Sequence, residues 1–383
     1  MKILVVAHYQ DDGSPTAIFI HEQMKEYVRA GHEVMALVPV GIAKRDWHGN
    51  RATVRAGACW IDGIRHVFLR YLTLSRFGEK HFNTASAIFA LKTQLTSVLD
   101  GFRPDVIQAH TLGFDSEIGA WLKSRFDCPV VVTTHGSDTN VPLDNGQVAL
   151  LKTYCDQVDA VVAVSNQLKK RLETCGTHTP IHAIYNGYVP HPCPADSVRA
   201  PHAMIQVGNL IESKRVDVTI RAFAKLREQW PDMTMTIIGQ GSLRDSLEAL
   251  CTQLGVSDGV RFLGQKPNAE VFHRMCESSF FVMASKPEGF GIVYLEAMAA
   301  GCVTIGTEGQ GIADIIEHGV NGFLVPADDE DRIADVIRQC LLQPEMAQKV
   351  AVAGQTCAGQ LTWSKNAGEY QKLFERLISE MAH

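Results

Sequence analysis

Two rhythms of apolar residues alternate along the chain. Short aliphatic runs at Lys2–Ala7, Glu33–Val38, Asp105–Ala109, Val130–Thr134, Ala160–Val164 and Ile181–Ile184 are apolar at nearly every step, as in strands buried on both faces. Between them, Thr16–Ala30, Asn83–Leu99, Ser116–Phe126 and Gln167–Thr174 repeat at helical spacing, and glycines at 31, 101 and 176 stop three of them. Strands alternating with helices predict a parallel sheet wound on both sides. Arg51–Arg76 keeps neither rhythm, which leaves a peripheral hairpin or irregular strands.

The prolines of Val189-Pro190-His191-Pro192-Cys193-Pro194, followed by Pro201, interrupt the pattern and read as a linker over 188–202. The alternation then restarts. Strands are expected at Ala203–Val207, Met233–Ile238, Val260–Leu263, Phe280–Ala284, Val303–Ile305 and Phe323–Val325. Helices are expected at Lys214–Gln229, Ser242–Leu254, Ala269–Cys276, Gly291–Ala300, Ile312–Glu317 and Glu330–Leu342. A last helix, within 364–383, is expected to cross back onto the first domain. The fold class is therefore α/β: two doubly wound Rossmann-like domains, 1–187 and 203–363, facing a cleft, with ligands at the C-terminal ends of the strands.

The stretch from Lys286 to Gly301 concentrates the chemistry. Glu288 lies in a glycine-rich loop, and Glu296 lies in the apolar helix that follows, with seven residues between them. A carboxylate on so apolar a helix is costly unless it reaches water, a partner or a ligand. Eight helical steps would separate the pair by ~12 Å, beyond the ~5 to 10 Å of a glycosidase pair, which favours two grips on one long ligand. Gly289 and Gly291 allow close approach of backbone N–H groups at a helix N-terminus.

Other polar residues follow strands. His8, His110, His135 and Asn186 end strands of the first half, and His135 opens His-Gly-Ser-Asp, closed by Asp138. His135 is either satisfied by its own loop or lines a cleft. Gly13, after the first strand, suits a phosphate turn or an ordinary strand–helix connection. Ser213 is a candidate N-cap, and Lys214 and Arg215 oppose the dipole of the helix they begin unless an anion sits there. Gly239-Gln240-Gly241 looks like a dinucleotide fingerprint, but Arg244 stands at the third glycine position. Ser242 and Asp245 near a capping box account for most of it.

Composition narrows the class. With 383 residues, 46% hydrophobic and 20% charged, the chain suits two globular domains. A net charge of -6 gives no support for nucleic-acid binding. No run approaches a membrane span, and the first strand lacks the features of a signal peptide. Ten scattered cysteines without C-x-x-C spacing are expected as buried free thiols in the cytoplasm. Arg65, Arg70, Arg76 and Lys80, and the Lys169-Lys170-Arg171 run, allow peripheral contact with an anionic membrane face as well as plain solvation.

Together these residues resemble the retaining GT-B glycosyltransferases of family 4, glycosyltransferase group 1, over nearly the whole chain. The resemblance rests on the loop after the first strand, Gly31-His32-Glu33-Val34, His135-Gly136-Ser137-Asp138, Asn186-Gly187, Val207-Gly208 with Lys214, Gly239-Gln240-Gly241, and the Glu288–Glu296 spacing. It implies transfer of a sugar from a nucleotide-diphosphate donor, UDP-sugar favoured and GDP-sugar possible, to a carbohydrate or lipid-linked hydroxyl, with retention, no metal and no cofactor. Glu288, His135 and Lys214 would be catalytic. Gly13, Asn209, Lys214, Arg215, Glu288, Gly289, Phe290, Gly291, Ile292 and Glu296 would hold the donor. His110, Asp138 and Asn186 would lie on the acceptor side. Asn209 stands where the family has arginine and Arg215 where it has glycine, so Arg215 is expected to compensate. A nucleotide-sugar epimerase and a non-catalytic binding protein are the alternatives.

Overall fold

The computed structural model describes residues 1–8, 18–42, 57–73 and 80–381. Gly13 and Arg76 lie outside them. The chain divides into two compact units, Met1–Tyr185 with Trp363–His383, and Asn186–Thr362.

Among the described residues the first unit has strands β1 (Lys2–Val6), β2 (Glu33–Ile42), β3 (Gly57–Ile61), β4 (Ile64–Leu72), β5 (Val106–His110), β6 (Val130–Thr134), β7 (Ala160–Ala163) and β8 (Ile181–Ala183). Their order is β3-β4-β2-β1-β5-β6-β7-β8. All pairs are parallel except β3 with β4. That hairpin turns at Asp62 and Gly63, with φ of 50° and 77°. Both residues are left-handed, as a two-residue Asp-Gly hairpin requires. The ambiguous stretch thus carries a hairpin at the sheet edge.

Alternation along β1 explains the two faces. Ile3 and Val5 pack with Ile20, Met24 and Tyr27 of the helix Ile18–Arg29 and with Tyr370 and Phe374 of the helix Trp363–Met381. Leu4 and Val6 point the other way, toward Leu91 of Lys80–Leu99 and Ile118 and Leu122 of Phe114–Phe126. A run buried on both faces must be apolar throughout.

The second unit has an all-parallel sheet of β9 (Ala200–Val207), β10 (Thr234–Ile238), β11 (Val260–Phe262), β12 (Ser278–Val282), β13 (Val303–Thr307) and β14 (Phe323–Val325), ordered β11-β10-β9-β12-β13-β14. Strand order reverses between β9 and β12 here, and between β1 and β5 in the first unit. Crevices at such reversals are where ligands bind in open α/β sheets.

Several local expectations change. The helix expected from Lys214 begins at Val216, after a tight turn Glu212–Lys214 and Arg215 in the left-handed region at φ 47°. Ser213 is therefore not its cap. Leu243, not Ser242, precedes the helix Arg244–Gln253, with no side-chain cap. The expected helix Ile312–Glu317 is one short turn, Gly311–Asp314. Helices Ser137–Asp144, Val148–Cys155 and Pro344–Ala358 are additions. The proline-rich stretch belongs to the second unit, where Tyr188 N donates to Leu361 O at 3.3 Å. Cysteines are not all thiols: Cys193 is bonded to Cys276 with Cα atoms 5.8 Å apart. The exposed Cys193 lies in the proline-rich stretch and reaches the last residue of Asn268–Cys276, a pairing that spacing alone does not reveal.

Candidate active site

At the β9/β12 reversal, two connections meet. The turn after β9 carries Lys214, and the loop after β12 carries Glu288. Lys214 Nζ lies 2.5 Å from Glu288 Oε2. The buried Ser285 hydroxyl donates to the same oxygen at 3.0 Å. The two connections are also joined through Ser213 O, which accepts from Lys286 N at 2.7 Å and lies 3.1 Å from Ser285 Oγ, whose single hydrogen it shares with Glu288. Gln206, a polar side chain buried in β9, donates from Nε2 to Lys214 O at 3.1 Å. Gln310 accepts from Glu288 N at 2.8 Å, and Glu288 O accepts from Gly311 N at 3.2 Å. Glu288 and Lys214 are thus set by partners on three separate connections. Ser285, Gln206 and Gln310 escaped the sequence reading. Only Gln206 left a signal, as a polar residue inside an apolar strand.

Gly291 precedes the helix Ile292–Ala299 with φ 78°, and a Cβ there would lie 2.6 Å from the Tyr294 ring. The Tyr294 hydroxyl in turn donates to Met283 O at 2.7 Å, pinning this helix to the end of β12. Glu296 is partly buried on that helix, without an ion pair or hydrogen bond among the described residues. Burial pushes its pKa up to about 7. It is an unspent carboxyl next to the loop that Lys214 and Glu288 fix.

Arg215 pairs with Asp328, itself half exposed, and its buried Nε has no partner among the described residues. Asn209 is exposed in the same turn. The glycine pair Gly239 and Gly241 serves packing. A Cβ on Gly239, at φ 141°, would sit 1.9 Å from Gly208 O, so the two loops touch backbone to backbone.

In the first unit, His110 and His135 come together at the ends of β5 and β6. His110 Nδ1 lies 3.0 Å from His135 Nε2, with the rings near parallel. Burial holds both pKa values below the usual histidine range, and for His110 the neighbouring His135 adds to the shift. The pair is therefore neutral at pH 7. His110 is 2% exposed and its Nε2 has no partner among the described residues. Phe19 packs on His135 with centroids 4.6 Å apart.

Asp138 is saturated. Its Oδ1 accepts from Thr134 Oγ1 and from the His135 and Gly136 amides at 2.9, 3.0 and 3.0 Å, and Oδ2 from Leu112 N at 2.8 Å. It fastens the loop that presents His135. Asn186 is grouped with the second unit. Among the described residues no three His, Cys, Asp or Glu side chains gather as a metal site would need. Arg65 pairs with Asp100, Lys169 with Glu173 and Arg171 with Asp144, so much of the basic surface is already paired.

Known proteins resemble this chain. A family model described as "Glycosyl transferases group 1" matches residues 198–356, and one described as "Glycosyltransferase Family 4" matches residues 16–191. The uncharacterised glycosyltransferase MJ1607 of Methanocaldococcus jannaschii is 32% identical over 333 residues, covering 80% of each chain. The chain belongs to the group 1, family 4 glycosyltransferases. Within the family, the lipopolysaccharide core biosynthesis glycosyltransferase LpsD of Rhizobium meliloti is 25% identical over 387 residues, 99% of this chain and 100% of its own. The crystal structure of Anabaena HepE in complex with UDP and glucose superposes with a TM-score of 0.75 at 19% identity, over 98% of this chain and all of that one. The fold of this glycosyltransferase is the two-domain, Rossmann-like GT-B fold.

Proposed function

We propose that this glycosyltransferase moves a sugar from a nucleotide-diphosphate donor to a hydroxyl of a carbohydrate or lipid-linked acceptor, with retention of anomeric configuration and without a metal. The observation that carries the reading is the Lys214–Glu288 pair at the strand reversal of the second unit. An incoming diphosphate competes for Lys214, neutralising its charge there. Glu288 is then released to accept from sugar hydroxyls, and Glu296 from the ribose. Charge that develops on the departing diphosphate meets an ammonium fixed in place, the arrangement that lowers a barrier most. His135, neutral and held by the Asp138 loop, is assigned to the reacting sugar. The HepE complex supports a UDP-sugar donor, while a 25% identical relative from Mycolicibacterium smegmatis named as GDP-mannose-dependent keeps the GDP alternative. LpsD supports a cell-surface polysaccharide or glycolipid as product, which suits action in the cytoplasm. Partly exposed Phe82 and Phe89 on the helix Lys80–Leu99 suit peripheral contact with the membrane that would carry a lipid-linked acceptor.

Release of free sugar from UDP-glucose, UDP-N-acetylglucosamine and GDP-mannose tests the reading. Lys214→Ala should cost at least ~100-fold in turnover of the donor that works, as expected for a lost charge at the leaving group, and Glu288→Gln at least ~100-fold through the lost charged acceptor for the sugar hydroxyls. Both variants should keep the wild-type melting temperature within a few degrees. Unchanged turnover in either would sink the assignment, and anomer analysis of the product by NMR decides the stereochemistry.

A further inference from the structure

His8 leaves the sheet at the C-terminal end of β1, and Asp115 lies in the first turn of the helix that follows β5. These strands are neighbours at the reversal of strand order in the first unit, so both residues belong to its ligand crevice. His8 Nδ1 lies 2.5 Å from Asp115 Oδ1. Asp115 has no exposed surface, and its Oδ2 accepts from the Thr111 hydroxyl at 2.9 Å. Thr111 holds a left-handed backbone, φ 90°, a costly conformation for a β-branched residue that only its surroundings maintain.

A carboxylate only accepts hydrogen bonds, so the Asp115 contact puts the proton on Nδ1 and leaves the Nε2 lone pair free to accept. The Nε2 partner is the Tyr71 hydroxyl at 3.3 Å, a long bond. Burial and the charge of Asp115 push the Tyr71 pKa up to about 12, so this hydroxyl stays protonated. The His8 side chain is 36% exposed, and the partly exposed Phe114 ring stands 4.0 Å away, centroid to centroid. The buried half of the pair is fully used and the exposed half is barely used. Neither the donor grip of the second unit nor the His110–His135 pair involves any of these atoms.

We propose that His8 Nε2 accepts a hydrogen bond from a hydroxyl of the acceptor, with Phe114 against an apolar face of the same molecule and Asp115 as a positioning residue. The ligand class is a neutral polyhydroxyl compound. A lone pair backed by a buried carboxylate disfavours a phosphate or carboxylate at that atom. The assignment rests on the glycosyltransferase reading, because it takes the acceptor to be a hydroxyl compound.

The test uses the full chain labelled with 15N at histidine, with the His8 ring identified from its loss in His8→Gln. Long-range proton–nitrogen spectra should show His8 protonated at Nδ1, and Asp115→Asn should remove that preference. With UDP present, at least one of methyl α-glucoside, methyl α-mannoside and methyl β-galactoside should shift the Nε2 signal. The Kd of that glycoside should rise about 10-fold in His8→Gln, the loss of one hydrogen bond, with the Kd of UDP within about twofold. A His8 ring that no glycoside moves overturns the proposal, as does an unaltered glycoside Kd in a folded His8→Gln. The wild-type signal decides where that variant folds poorly. Failure of wild-type protein to bind UDP or GDP counts against the donor reading instead, and the glycoside response at His8 is scored separately.

Discussion

Glu288 and Glu296 are close in sequence and opposite in circumstance. Glu288 is met by an ammonium and a hydroxyl, whereas the unpaired Glu296 is raised to about 7. A carboxyl whose folded pKa exceeds its unfolded one binds more protons in the native state, so its stabilising effect is lost as pH rises through the folded value. Buried His110 and His135 have lowered pKa values, and their effect is lost as pH falls below about 6.5. Glu296→Gln keeps both histidine contributions and removes only that of Glu296, so the difference between the two proteins isolates this carboxyl. Relative to Glu296→Gln, wild-type protein should therefore lose about 1 kcal/mol of stability between pH 6.5 and 8. Urea titrations across that range check this, and parallel slopes for the two proteins would refute it. Glu296 stood out as a carboxyl on an apolar helix, Lys214 as a cation where a helix is expected to begin, and Glu288 by its place in a glycine-rich loop. Ser285, Gln310 and Asp115 did not, because each derives its meaning from a residue brought near only by the fold.

Among the elements, strands could be read nearly to their ends, since burial on both faces leaves no polar step to confuse them. The helices that escaped had weaker patterns. Ser137–Asp144 is short, polar and contains Pro142, and Pro344–Ala358 buries Val350, Ala351, Gly354 and Ala358, small residues that make a faint stripe. Glycine patterns were legible as tight backbone but not in purpose: Gly239 lies against Gly208 O, which removes the need for a dinucleotide there. Gly239→Ala should cost about 1–3 kcal/mol, through overpacking and the positive φ it must adopt. It should also weaken UDP binding by shifting the turn that carries Lys214. Chemical denaturation and calorimetry with UDP measure the two effects. Intact stability in this variant would mean that the loops separate freely.

For the whole chain, the alternation of strands and helices made two α/β units readable, and the chain passes between them after Tyr185 and after Thr362. The helix Trp363–Met381 belongs with the first unit, joined by buried amides: Gln23 donates to Asn366 at 2.6 Å and Gln108 to Gln23 at 2.9 Å, while Thr133 and Tyr370 share a 2.8 Å bond. A chain shortened at Thr362 loses Tyr370 and Phe374 from that core. Removing one such aromatic costs about 3–5 kcal/mol, so the first unit should then lose its cooperative melting. A fragment of residues 186–362 should melt cooperatively and still bind UDP. Calorimetry of both fragments decides this, and a sharp first-unit transition in the shortened chain would count against it.

That return of the chain sets an order in time. Proteins usually mature from the N-terminus as they leave the ribosome. Here residues 1–185 emerge first and must wait, because the aromatic side chains that close their core arrive about two hundred residues later. The intervening unit has all its strands in hand well before that. The half of the molecule translated second is therefore the half that can fold first. Until the last helix is made, the first half presents Tyr27, Met24 and their apolar neighbours to whatever holds nascent chains.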